Sequence, residues 1–547
     1  MTRLNTSLLW VAVVALAAVT TTVTGPAHAQ TSGVGDVSFA NSGAAPAQES
    51  FLAGLAQLHN FEYANAAELF RKAQQIDPGF ALAYWGEAMT YNHAVWMEQD
   101  RDAARAALAR LAASPDVRLA KAGTEREKDY LRAIEILYGD GDKNARDLAY
   151  ADAMAAMHRK YPDDPDAATF YALSLLGTAH DGRDFAIYMR SAAVLEPIFR
   201  DHPTHPGAAH YLIHSYDDPV HAPLGLRAAR AYSTIAPNAG HAQHMTSHIF
   251  VAMGMWDEVV SANEAATAVV NQARAKRNLP PAACGHYPFW LEYGYLQQGR
   301  FGAAKKLVAA CHAAAVRAAA APPPAGAPQP LDPDNSLIGS FTMMRSRYLI
   351  DTQEWDGDVA AWTVPAGNLR LVPIRTEFVN GLSSVQRGRI DAARESLERL
   401  KAARVALDAS LDRKPGARDD AFRSDAAIFE QLLSGSVQVA GGATAEGIAA
   451  IREAAAAAEK LPFEFGPPFI DKPPYELLGE VLLAAGQHKE ARAAFEKALA
   501  QTPERTAALM GLMRAAEKLG DQKKAADVRA RLRTIWRQAD RVTNLGL

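Results

Sequence analysis

Residues 474–503 read PYELLGEVLLAAGQHKEARAAFEKALAQTP, with Tyr475, Leu478, Gly479, Gly486, Ala491, Phe495, Ala498 and Pro503 at fixed places. That spacing predicts two antiparallel helices in a unit of about 34 residues. The small residues let the paired helices approach closely, Gly486 closes the first helix, and Pro503 punctuates the exit. The same spacing recurs near the other end at Gly54, Tyr63, Ala66, Phe70, Ala73 and Pro78. Weaker copies run through Leu291, Tyr295, Gly299 and Ala304, through Gly381, Gly388, Ala393 and Leu397, and through Leu512, Gly520 and Ala525. Pro165, Pro237 and Gly254 set the phase between them. Valine, isoleucine and threonine never alternate over the length of a strand. The expected fold is an all-α superhelix of helical hairpins, an α-solenoid.

The 547 residues are 49% hydrophobic and 22% charged, with a formal net charge of -4. Without a basic excess, nucleic acid is not an expected partner. Two cysteines, Cys284 and Cys311, exclude a disulfide-dense scaffold and any cysteine-rich zinc or iron–sulfur site. Arg3, the apolar run Leu8 to Val23 and the site Ala27-His28-Ala29 read as a secretory leader, residues 1–29, cleaved after Ala29. A periplasmic or secreted location follows, and no later apolar stretch is long enough to span a membrane. Residues 30–46, rich in Gly, Ser and Ala, are expected to be a flexible lead-in. The proline-rich stretch 321–335 is expected to be a linker between two repeat blocks, 47–320 and 336–547.

The histidines are unevenly spread. Of sixteen, eight lie between His202 and His248. His210 and His214 are spaced i,i+4, while His241, His244 and His248 are spaced i,i+3 and i,i+4, so on a helix each set projects from one face. Neutral imidazoles at such spacing can converge on one transition metal, whereas calcium and magnesium prefer oxygen. Zinc, copper or iron is the expected cofactor, and no His-Glu-x-x-His protease motif is present. Asp217 follows His214 closely enough to orient a ligating ring, or else to end a helix before Pro219. Recognition of an anion or peptide, and plain packing, are the alternatives for the cluster. Glu476 and Glu480, one turn apart, read as a solvated face. Cys284 and Cys311 flank a helical hairpin that a disulfide could staple, subject to the distance between their Cα atoms. A haem site lacks its Cys-x-x-Cys-His attachment motif.

The repeat spacing resembles that of tetratricopeptide repeats. This resemblance implies that His210, His214, His241, His244, His248 and His286 occupy places lining a concave groove. It also implies groove-facing positions for His59, His93 and His180, and for Trp85, Phe289 and Tyr293 as pocket walls. The segments 58–63, 83–93, 210–214 and 241–250, with Gly466-Pro467-Pro468 and 472–480, resemble a group of exported bacterial tetratricopeptide proteins of no established activity. The functional expectation is an exported protein that binds a transition metal through the six histidines, with metal-dependent catalysis as an extension. The rival is a non-catalytic periplasmic scaffold that holds a peptide or protein partner in the groove.

Overall fold

Phe495 shows why the repeat needs small residues. Its ring fills the space over Gly479, where a Cβ would come within 2.7 Å of it, and Gly511 of the next helix approaches closer still. Gly486 adopts a φ of 76°, which only glycine takes without strain, so the Gln487 and Gly486 N–H groups turn back onto the Leu482 and Leu483 carbonyls. Gly299, with a φ of 69°, ends its helix in the same way. Each hairpin therefore closes sharply enough to stack on the next.

The computed structural model describes residues 28–29, 33–321, 336–367, 369–411 and 417–540. Among them, twenty-five α-helices run in succession and most neighbours pack as antiparallel pairs, giving an all-α solenoid. The only extended segments among these residues are two short antiparallel pairs, His28–Ala29 with Val37–Ser38 and Asn92–His93 with Glu98–Gln99. The expected leader, apart from the backbone of His28 and Ala29, and the expected linker beyond Ala321 lie outside the described residues.

Three expectations require correction. Residues 33–46 are not a flexible lead-in. Val34, Val37 and Phe39 are buried, and the Phe39 ring lies 5.6 Å from Phe51, 6.1 Å from Trp85 and 5.2 Å from Tyr130, with the Arg126 guanidinium over its face. Three apolar side chains among small polar residues are enough to dock the segment on the first hairpins. Next, the cores do not divide at the proline-rich stretch. One apolar cluster extends from Val34 to Tyr293 and the other from Val260 to Leu532, so the helices around 256–297 belong to both. Finally, Glu476 is no solvated residue. It is fully buried and receives Arg505 Nε at 2.8 Å and Lys472 Nζ at 2.8 Å.

Arg505, equally buried, also pairs with Asp351 and so joins the last repeats to the middle of the chain. The indole N–H groups of Trp256 and Trp536 extend this contact, donating to the Glu504 and Gln297 carbonyls at 2.9 and 2.8 Å. Cys284 and Cys311 form a disulfide with their Cα atoms 4.8 Å apart, stapling the hairpin of helices His286–Gln297 and Phe301–Ala320.

Truncating Phe39 to alanine should lower unfolding free energy by about 3–5 kcal/mol, the usual cost of emptying a buried aromatic site. Denaturant titration checks this, and an unchanged midpoint would mean that the segment is not part of the cooperative core.

Candidate metal centre

Three helices supply the cluster. Pro206–Tyr216 begins with Pro206 in its first turn and the His205 ring accepting the Ala208 N–H at 3.2 Å, which fixes the rotation of the helix carrying His210 and His214. Gly240–Ala252 carries His241, His244 and His248, and its first turn is anchored by Glu62, which accepts the His241 N–H at 3.0 Å. The third, His286–Gln297, begins at His286 itself.

The six rings form one continuous chain. Ring centroids are 5.0 Å apart for His241 and His210, 4.9 Å for His210 and His214, and 5.5 Å for His214 and His248. His248 and His244 follow at 5.1 Å, then His244 and His286 at 4.4 Å. Two groups of three histidines have ligand atoms all within 4.8 Å of one another, His210, His214 and His241, and His244, His248 and His286, and a third group, His214, Asp217 and His248, takes one ring from each.

Their hydrogen bonds determine which nitrogen is free. His210 Nδ1 lies 2.6 Å from the His59 carbonyl, so it carries the proton and Nε2 the lone pair. His248 Nδ1 donates to Asp217 Oδ2 at 2.9 Å. His244 Nδ1 lies 2.7 Å from Asn263 Oδ1, and the Asn263 amide nitrogen is committed to the Val259 carbonyl at 2.8 Å, which fixes the amide with its oxygen toward the ring. His244 and His248 therefore both have Nδ1–H engaged, and their Nε2 atoms face each other 3.2 Å apart. The buried Nε2 atoms of His210, His214 and His241 have no hydrogen-bond partner.

Burial disfavours the charged form of five of the rings. It pushes His210, His241 and His244 well below the ordinary imidazole range, reinforced by neighbouring histidines. His248 is lowered to about 4, again by burial, against the opposing pull of Asp217. Burial alone would raise the Asp217 carboxyl, but the Arg183 guanidinium and the His214 and His248 rings hold it well below the carboxylate range. Arg183 contacts Asp217 Oδ1 at 2.5 Å and Asp218 Oδ2 at 3.0 Å. Neutral rings with oriented protons are the state in which imidazole binds a metal. The orphaned nitrogens and all-imidazole donor set fit zinc, copper or iron.

The other sequence candidates lie elsewhere. His59 is buried, but its Nε2 meets Asp166 Oδ1 at 2.9 Å and its Nδ1 meets the Tyr211 hydroxyl at 3.0 Å. His205 Nε2 is directed at the same Asp166 oxygen at 3.3 Å. His59 is thus a positioning residue, whose carbonyl orients His210. His93 is not on a helix, because its helix ends at Met89, and it stacks on Tyr63 with centroids 4.1 Å apart. His180 follows a helix that ends at Leu176 and contacts Asp147 at 3.1 Å. Trp85 is packed among Phe39, Tyr130 and Phe170 and walls no pocket. Phe289 and Tyr293 stand under the Arg347 guanidinium, whereas the neighbouring Trp290 contacts the cluster, stacking on His248 at 4.5 Å.

The cluster does not line an open groove as expected. Five of its rings are buried and only His286 is exposed. Phe465, from the connection preceding helix Pro474–Ala484, lies 4.8 Å from His248 and 6.0 Å from His214. Gly466 passes directly over the Trp290 ring, where a side chain would collide. Asn263, Arg183 and Phe465 are contributors that sequence reasoning missed. Only Phe465 had a nearby signal, the Gly466-Pro467-Pro468 motif.

Fold and cluster define a helical-repeat protein with a chain of six imidazoles, five of them buried. Residues 482–540 match the tetratricopeptide repeat family, so the chain carries tetratricopeptide repeats. No curated protein sequence matches it. Among solved structures it resembles yeast Tom70 with 10% identity and a TM-score of 0.33, covering 87% of this chain and 89% of that one. It resembles human IFIT1, in a dimer with m7Gppp-AAAA, with 12% identity and a TM-score of 0.31, covering 89% and 90%. Likenesses this shallow say nothing about what this chain binds.

Acidification tests the burial of the cluster. Unfolded histidine titrates near 6.5, so between that pH and about 4 the unfolded chain takes up a proton that folded His248 refuses, and stability falls with pH. The contribution is on the order of 3 kcal/mol. Asp425, which burial raises to about 7, and Glu292, raised by burial, oppose this slope. The slope is therefore read as the difference between metal-free parent and His248→Gln. That difference should shift by roughly 3 kcal/mol in favour of the variant from pH 7 to 4, and a pH-independent difference would contradict desolvation of the ring.

Proposed function

We propose that this protein binds a transition metal through its histidine cluster and works in an oxidising compartment outside the cytoplasm. The observation that carries the reading is the pair of Nε2 atoms of His244 and His248, 3.2 Å apart with both Nδ1 protons committed elsewhere. Two neutral rings in these tautomers direct lone pairs at each other, and a cation between them turns that repulsion into two bonds. His286 completes this group from the exposed end, so an ion or an exchanging ligand would enter from that side. Asp217 and Asn263 supply the carboxylate and amide partners that commonly orient metal-bound histidines.

The leader sequence supports export, and the Cys284–Cys311 bridge belongs to oxidising surroundings. No helix among the described residues is long and apolar enough to cross a membrane. Tetratricopeptide repeats support a protein-interaction role. A partner could not lie on the histidine face without displacing Phe465, so a scaffold function would use other surfaces.

Elemental analysis of the untagged, exported protein tests the reading. Bound zinc, copper or iron is expected, and the His244→Ala/His248→Ala variant should lose the ion that these two rings hold. Asp217→Asn should keep the fold and weaken metal affinity about 10–100-fold. Protein that carries none of these metals and takes up none when they are supplied would leave a non-catalytic scaffold as the better account.

A further inference from the structure

We infer that the cluster is built for two metal ions rather than one, with His210, His214 and His241 holding a second ion apart from that of His244, His248 and His286. The inference rests on the metal-binding reading above and sets its stoichiometry. No group that could share one ion contains all six histidines. The two triads have no member in common, and each satisfies the three-ligand requirement that leaves a metal site with room for a further donor.

The second triad has its own evidence. His210, His214 and His241 are all buried, and the Nε2 of each has no partner. Three unpaired imidazole nitrogens in one buried spot would be a large desolvation cost if nothing filled it. His210 is aimed by the His59 carbonyl, which removes its Nδ1 from contention and commits Nε2 to the site. Phe61 closes one side, its ring 4.3 Å from His210, 5.9 Å from His214 and 5.7 Å from His241. Trp96 closes another, 6.3 Å from His214 and 6.2 Å from His241.

A nearby trio of the same residue types shows what a closed structural network looks like. In His59, Asp166 and His205, all four imidazole nitrogens are engaged by Asp166, the Tyr211 hydroxyl or the Ala208 N–H. No imidazole lone pair is left to bind an ion, although the spacing alone would admit one; the one unpartnered atom of the trio is Asp166 Oδ2. The 210/214/241 triad has the opposite character.

Two cations in one cluster repel, and the carboxylate that reduces this repulsion is in place. Asp217 Oδ2 lies 2.9 Å from His248 Nδ1 in one triad and 3.5 Å from His214 Nδ1 in the other. One anionic residue thus stands behind a ligand of each ion, and Arg183 holds it there.

Metal counting on the full-length exported chain decides the matter, with zinc and cuprous copper supplied separately in excess and unbound metal removed. The parent should retain two equivalents per chain. His241→Gln, which alters a ring with no inter-helix hydrogen bond from its Nε2, should retain one, as should His244→Ala/His248→Ala. Circular dichroism and thermal unfolding of the metal-free variants establish that each is folded, and His214→Gln provides a second probe of the triad if His241→Gln is not. One equivalent in the parent, kept by His241→Gln and lost by the double variant, would overturn the second ion and leave the proposed function standing. One equivalent lost by His241→Gln and kept by the double variant would equally refute two ions and move the single site. No retention of either metal by the parent, nor of ferrous iron supplied in the same way, would remove both.

Discussion

Desolvation of imidazole is the constraint to which the centre of this molecule answers. A ring removed from water sheds its second proton, and the N–H that remains must find an acceptor. Around this cluster the acceptors come from distant parts of the chain: the His59 carbonyl for His210, Asn263 for His244, and Asp217 for His248. Each acceptor is itself held, Asn263 by the Val259 carbonyl and Asp217 by Arg183. Choosing the donor nitrogen leaves the other one bare, and the bare nitrogens point at one another. The repeat architecture permits this because stacked hairpins bring like-facing positions of successive helices into register over the length of the chain.

The histidines came together because their spacing was matched to a regular helix. Glycines such as Gly254 and Gly299 mark the end of the first helix of a hairpin, and counting back from them gives the rotation of His241, His244, His248 and His286. The phase is lost where a helix stops early: His93 and His180 lie beyond Met89 and Leu176, off the helices whose faces would have carried them. Helical spacing carries no trace of the acceptors. Asn263 reaches His244 across a hairpin and Arg183 reaches Asp217 from a separate turn, contacts fixed by packing rather than by local pattern. Phe39 was lost among glycines and serines because a single aromatic residue has no periodicity.

Burial of the cluster was the least legible property. A concave face reads from sequence as open, yet the connection carrying Phe465 and Gly466 lies across it. That connection is fixed by charge. Asp471, fully buried, receives Arg375 Nη1 at 2.7 Å and the Ser346 hydroxyl at 2.8 Å, and Arg347 donates to the Pro468 carbonyl at 2.5 Å. Five residues on, Glu476 joins Lys472 and Arg505. Isolated buried ion pairs give little net stability, but breaking one leaves a stranded charge at a cost of about 3–5 kcal/mol. The network therefore works less as an attraction than as a restriction, since the connection has few other places where its charges are satisfied.

The same residues thus explain two facts that a sequence reading treats separately. Alone, a set of histidines on a concave face would bind metals weakly and by the same exchange as any exposed group, because each ring would carry a fluctuating proton and a free rotation. Enclosed by Phe61, Trp96, Trp290 and Phe465, five of the rings are shielded from water before any ion arrives, and His210, His244 and His248 are also held in one tautomer. Preorganisation of this kind spares an incoming ion the cost of ordering its ligands, and that cost is charged instead to folding. The chain meets it by committing distant helices, an arginine–aspartate pair and an aromatic connection to six side chains. That outlay is difficult to account for as packing alone, since leucine or phenylalanine at the same positions would fill the space without the desolvation of unpaired nitrogens.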